Sequence, residues 1–107
     1  MTVAMSERLR KRIDALRVEY VKTFEEEGAG FQAEMSAGDH RGVGRRAHRI
    51  GGTAGSYQLD DVCVAAQNVE RTCESQDRDV LAVLEEQVDQ LCEALSAAQL
   101  LFLHAST

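Results

Sequence analysis

The stretch "GRRAHRIGGTAGSYQL", residues 44–59, sets one imidazole, His48, between Arg45 and Arg49, with Gly51, Gly52 and Gly55 following within two turns. A neutral imidazole nitrogen is a nucleophile and proton acceptor near neutral pH. At about 100° per residue, with His48 at zero, Val43, Ala47, Ile50, Ala54 and Tyr57 fall at about 180–260° and form a core stripe. Arg41, Gly44, Gly52 and Gly55 lie within about 40° of His48, Arg45 and Gly51 about 60° to either side, and Arg49 about 100° away. His48 is therefore expected to face outward. Each glycine inside a helix costs about 1 kcal/mol relative to alanine, so something other than helix stability selects Gly51, Gly52 and Gly55. One candidate is clearance for another protein's surface to reach the imidazole, as phosphoryl or proton transfer between two proteins requires. The other is close packing of a helix of the same chain, which the position of the core stripe on the far side disfavours. His40 and His104 have no such surroundings and read as ordinary surface or hydrogen-bonded histidines.

The elements that must hold His48 are helical. There is no proline, and Ala, Leu, Glu, Gln and Arg are abundant. Ser6 is a candidate N-cap, followed by Leu9, Ile13, Leu16, Tyr20 and Phe24 at steps of three and four, which predicts a long first helix. "EEEGAG" at 25–30 is expected to interrupt it, with Phe31 and Met35 on a short continuation. Gly38 reads as a helix terminator and Asp39 as the next N-cap, opening a helix over about residues 40–56. Asp60 or Asp61 opens another, with Leu59, Val62, Ala66, Val69 and Cys73 in step. After the polar turn "ESQDRD", Asp77 or Asp79 is expected to cap a last helix with Leu81, Leu84, Val88, Leu91, Leu95, Ala98 and Phe102 on one stripe. Amphipathic helices with short links bury their stripes most economically in an antiparallel bundle. The fold class expected is all-α: an up-down four-helix bundle with a short extra N-terminal helical segment, one domain over residues 1–107.

Composition removes several functions. A formal charge of −6 opposes nucleic acid as a main ligand. No run of 18 apolar residues is present, so a membrane partner is not expected. Cys63, Cys73 and Cys92 make an odd set without a CxxC pair, and with a start that lacks an apolar signal-like region they favour free thiols in the cytoplasm. No GxxxxGK[ST] loop is present for ATP, and no Glu stands three residues before a His as in di-metal bundles, so no metal site is expected.

These residues resemble a known family. "AHRIGGTAGSYQL" resembles the signature of histidine-containing phosphotransfer (HPt) domains: His, any residue, Leu or Ile, Lys, Gly, small residues and a later glycine. His48, Ile50, Gly52, Thr53, Ala54 and Gly55 match in register. "SAGD" at 36–39 is similar to the family's "AAGD" before this helix, and "VE" at 69–70 to its "LE"-like end of the following helix, so the likeness spans most of the chain. Two positions depart: Gly51 stands where the family has Lys, and Gln58 stands at the later glycine, which suggests a different turn into the next helix. The resemblance implies an exposed phosphoacceptor, His48, that exchanges phosphoryl groups with receiver domains of hybrid histidine kinases and response regulators.

The resemblance also implies that Glu70, at the spacing found in the phosphotransfer module of chemotaxis kinases, accepts from Nδ1–H of His48 and leaves Nε2 as nucleophile. Gln67, one turn earlier, is the substitute. Arg45 and Arg49 are expected to stabilise the phosphoryl group in place of the missing Lys. Arg41, Gly44, Gly51, Gly52 and Gly55 are expected to meet the partner. Mg²⁺ is expected in the partner receiver and no cofactor in this chain, which is expected to be a monomer. Arg49 occupies the position that is acidic after the phosphoacceptor of dimerising histidine kinases, favouring a shuttle over an autokinase fragment. Gly51 keeps an alternative open: a non-catalytic bundle that docks and sequesters a receiver or kinase.

Overall fold

Ser6 accepts from the Leu9 amide, and Asp39 accepts from the Gly42 amide at 2.9 Å, so two helix starts are written in side chains that satisfy orphan N–H groups. The structure is a computed structural model that describes residues 6–75 and 80–103. Five helices follow: α1 (Glu7–Val21), α2 (Phe24–Ser36), α3 (His40–Ser56), α4 (Asp60–Glu74) and α5 (Val80–Leu103). Helices α2 to α5 alternate in direction and close a ring in which α3 meets α2 and α4, and α5 meets α4 and α2. The N-terminal segment is α1, 15 residues long, packed on α5. Among the described residues there is no strand.

The core is the union of the helical stripes. Val43, Ala47, Ile50 and Ala54 from α3, Val62, Ala66 and Val69 from α4, and Leu84, Val88, Leu91 and Leu95 from α5 are buried around Phe24 and Phe31 of α2. Leu81, expected on the same stripe, is 49% exposed, as are Leu9 and Leu16 to nearly the same degree. The first turns of α1 extend past the bundle, and Leu81 lies at the start of α5 with no helix against it. Asp77 and Asp79, the expected caps, lie outside the described residues.

The break in the N-terminal region falls at Lys22–Thr23, not at "EEEGAG". Thr23 Oγ1 donates to the Tyr20 carbonyl at 2.7 Å and ends α1, whereas residues 25–30 are helical within α2. The glycines survive there because burying Phe24, Glu27 and Phe31 outweighs their propensity cost, and because a Cβ at Gly30 would overlap the Arg46 guanidinium. Helix α4 starts from Leu59 with no side-chain cap. Asp60 and Asp61 lie in its first turn, where carboxylates favour the positive end of the helix.

Gln58 corrects a second expectation. Its φ is +61°, the left-handed conformation that a glycine would take, so the α3–α4 turn keeps its shape despite the substitution. A non-glycine residue in that region is strained by about 1–2 kcal/mol, part of which glycine returns as unfolded-state entropy. Gln58→Gly should therefore stabilise the fold by about 0.5–1 kcal/mol, read as a higher denaturation midpoint at unchanged slope; a lower midpoint would refute the argument.

Tyr20 ties α1 to α3 through its hydroxyl, which donates to the Ile50 carbonyl at 3.3 Å, and its ring meets Phe24 edge-on. Burial, reinforced by the charge of Glu27, pushes its phenol from 10.0 up to about 12. The folded state thus holds this proton more tightly than the unfolded chain. Its contribution is intact below pH 10.0 and is lost as pH rises toward about 12. Denaturant midpoints across that window should fall less steeply in Tyr20→Phe than in the wild type.

Candidate functional site

His48 stands near the middle of α3 with its side chain 77% exposed, and its Nδ1 lies 2.7 Å from Oε1 of Glu70 on α4. An ionised carboxylate only accepts hydrogen bonds, so Nδ1 carries the proton in this pair and Nε2 keeps its lone pair. Gln67 is exposed one turn before Glu70, its Cγ 4.0 Å from where a Gly51 Cβ would stand.

What brings Glu70 into reach is the close approach of α3 and α4, the most extensive pairing in the molecule. A Cβ on Gly44 would lie 3.1 Å from the Cys73 Cβ, one on Gly51 3.5 Å from the Ala66 Cβ, and one on Gly55 3.4 Å from the Cys63 Sγ. Gly44 is the tight point of this contact, and Gly51 and Gly55 stand at ordinary van der Waals distance from α4. Gly51 is buried, which corrects the expectation that it meets a partner, because the wheel did not show that α4 covers it. Gly44 is part-buried and Gly55 exposed. Gly52 is different, with nothing within 4 Å of its would-be Cβ.

Beside His48 the α3–α4 flank is open: Arg41 and Arg45 share a shallow depression with His40, Gly44, His48, Glu70 and Glu74, so two guanidinium groups stand on the same side as the imidazole. Cys73 lines the same depression, but burial and then the charges of Glu70 and Glu74 push its thiol up, away from the reactive thiolate.

Arg49, expected beside the phosphoryl group, is directed elsewhere. Its guanidinium meets Glu27 of α2 at 3.0 Å, between α2 and α3 and away from the α3–α4 flank. Arg46, which the sequence reading passed over, joins it there, contacting Glu27 at 2.9 Å and Glu34 at 2.7 Å and lying over the Phe31 ring. Hydrogen bonding to Glu34 holds the Arg46 guanidinium above its ordinary pKa against the opposing cost of burial. The signal was present: Glu27, Gly30 and Glu34 share one face of α2 at helical spacing, with the glycine where the arginine lies.

Among the described residues no three His, Cys, Asp or Glu side chains converge as they would around a metal ion, and no helix is long and apolar enough to cross a membrane. The fold and site define a class: a helical bundle that presents an exposed imidazole, paired with a carboxylate of the next helix, on the flank of one helix. The Hpt domain family model matches residues 4–98, and the chain belongs to the Hpt domain family, whose members carry out histidine phosphotransfer in phosphorelays and interact with receiver domains. No curated protein and no solved structure matches the chain.

If the close contact at Gly44 sets the His48–Glu70 distance, widening it must release the imidazole. Gly44→Val forces α4 outward at Cys73 at a packing cost of about 1–3 kcal/mol. The ring nitrogen shifts of His48 should then move from a fixed Nδ1–H tautomer toward a mixture, as Glu70→Gln should also do. Unchanged shifts in a folded Gly44→Val would mean that the contact does not set this bond.

Proposed function

We propose that this chain shuttles a phosphoryl group between aspartates of receiver domains, those of hybrid histidine kinases as donors and of response regulators as acceptors, by way of a phosphohistidine at His48. One observation carries the reading: an exposed Nε2 whose ring partner, Nδ1, faces Glu70 at 2.7 Å in a chain of the Hpt family. In the forward step the Nε2 lone pair attacks phosphorus of the aspartyl phosphate. The P–O bond to the aspartate breaks with its electron pair, regenerating the carboxylate, while the N–P bond forms. The ring keeps its proton on Nδ1, and the positive charge that develops is stabilised by Glu70. Transfer to the acceptor aspartate reverses these bond changes.

Such transfer asks mainly for positioning and charge compensation. The receiver brings the aspartate and Mg²⁺, and this chain brings no cofactor of its own. Arg41 and Arg45 supply positive charge toward the acidic receiver pocket, with Arg45 the nearer candidate for the phosphoryl oxygens. Gly52 leaves the surface beyond His48 low enough for close approach. With three free thiols, a reducing cytoplasm is the compartment proposed.

The test is transfer of label from a phosphorylated receiver to the chain. Acid-labile, base-stable label on the wild type and none on His48→Gln is the expected result, with Arg45→Glu slowing transfer about tenfold or more, since reversing a steering charge lowers encounter rates. Receivers that bind both wild type and His48→Gln without transfer to either would instead identify a docking module that sequesters its partner.

A further inference from the structure

The α1 overhang and a groove on an adjoining face of α5 are opposite in charge. Helix α1 is antiparallel to α5: Gln99 donates to the Val21 carbonyl at 3.2 Å, and Arg17 lies over the Phe102 ring. Following α1 back from Arg17 therefore leads past the described end of α5. Residues 6–12 are all exposed, an amphipathic segment that packs on no other helix among the described residues. Its apolar edge is Leu9, Ile13 and Leu16, and Arg8, Arg10, Lys11 and Arg12 surround that edge.

The groove lies at the same end of the molecule, between the start of α4 and the last turns of α5. Ala94, Ala97 and Ala98 give it a small-residue floor, and Leu101, 65% exposed, and Phe102 wall it. Asp60, Asp61 and Glu93 rim it, and no lysine or arginine lines it. Helix α5 carries four acidic residues, Glu85, Glu86, Asp89 and Glu93, and no basic one. A basic, leucine-edged helix is the complement of that groove. The chain's own α1 does not fill it, because Gln99 and Arg17 hold α1 along an adjoining face of α5, with Arg17 over the Phe102 ring at the groove's edge.

We infer that the groove takes the α1 overhang of a second copy of this chain. Two copies set end to end about a two-fold axis would exchange overhangs reciprocally, so each contact is made twice, as closed symmetry requires. The nucleophile stays free in this arrangement, since His48 lies on the α3–α4 flank, away from α1 and the α5 terminus. The monomer expected from the sequence is then the dilute form. Neither argument rests on the phosphotransfer reading, which concerns a different surface.

Sedimentation equilibrium of the full chain tests this. The average mass should double as concentration rises, and the association should weaken about tenfold or more between low and high salt as the facing charges are screened. Two charge-reversed chains make the decisive comparison, Arg8→Glu with Arg12→Glu, and Asp60→Lys with Asp61→Lys. Each alone should stay monomeric because its own two contacts are repulsive. An equimolar mixture should dimerise, since one contact is then wild type and the other is opposite in sign. Recovery on mixing also shows that both chains are folded. A wild type that stays monomeric at all concentrations, or reversed chains that dimerise alone, would overturn the inference.

Discussion

The arrangement at His48 depends on one constraint, the distance between α3 and α4. A hydrogen bond of 2.7 Å between His48 and Glu70 has little tolerance, because the bond weakens within a few tenths of an ångström beyond its preferred range. Both side chains are short relative to the usual interhelical separation of about 8–10 Å. Glycine at 44, where a Cβ would stand 3.1 Å from that of Cys73, lets α4 lie close beside His48. Its helix-propensity cost is offset by the approach that brings Glu70 within reach of the imidazole.

The opposite side of α3 has a different task. Arg46 and Arg49 hold Glu27 and Glu34 of α2, and Tyr20 reaches the Ile50 carbonyl from the end of α1. Glu27 is only 8% exposed, so an unpaired charge there would cost several kcal/mol. Two guanidinium groups offset that cost and fix the rotation of α3 about its axis. Rotation matters because a turn of about 100°, one residue, would exchange His48 for a neighbour at the Glu70 position. The ion pairs on one side and the close contact at Gly44 on the other therefore act on the same variable, the direction in which the imidazole points.

Much of this was legible in the sequence. The periodic stripes of α3, α4 and α5 gave the bundle, since each stripe must be buried and links are short. The Ser6 and Asp39 caps were legible because side-chain capping is local. His48 stood out for its surroundings, and Glu70 through family likeness. What failed was anything that depended on which helix lies against which flank. A wheel gives angles but not neighbours, so Gly51 was assigned to a partner although it is buried against Ala66 of α4. Arg49 was assigned to the phosphoryl group when Glu27 draws it to α2. The "EEEGAG" run looked like a break because propensity is local, while the burial of Phe31 and the approach of Arg46 that hold it helical are not.

The two departures from the family motif turn out to be of different physical kinds. At Gln58 the backbone conformation is retained by a residue poorly suited to it, so the change costs stability and leaves geometry intact. At Gly51 the change alters what can be present. Where the family carries a cationic side chain, this chain has a buried glycine against Ala66, and Arg49 is tied to Glu27. Positive charge near His48 thus comes from Arg45 and Arg41, about one and two turns before it rather than after it. What a cation can compensate depends on where it stands relative to the charge it faces, not on its place in a motif. Moving the cations toward the start of the helix leaves the surface beyond Gly52 bare, so the imidazole is flanked by charge on one side and by open backbone on the other.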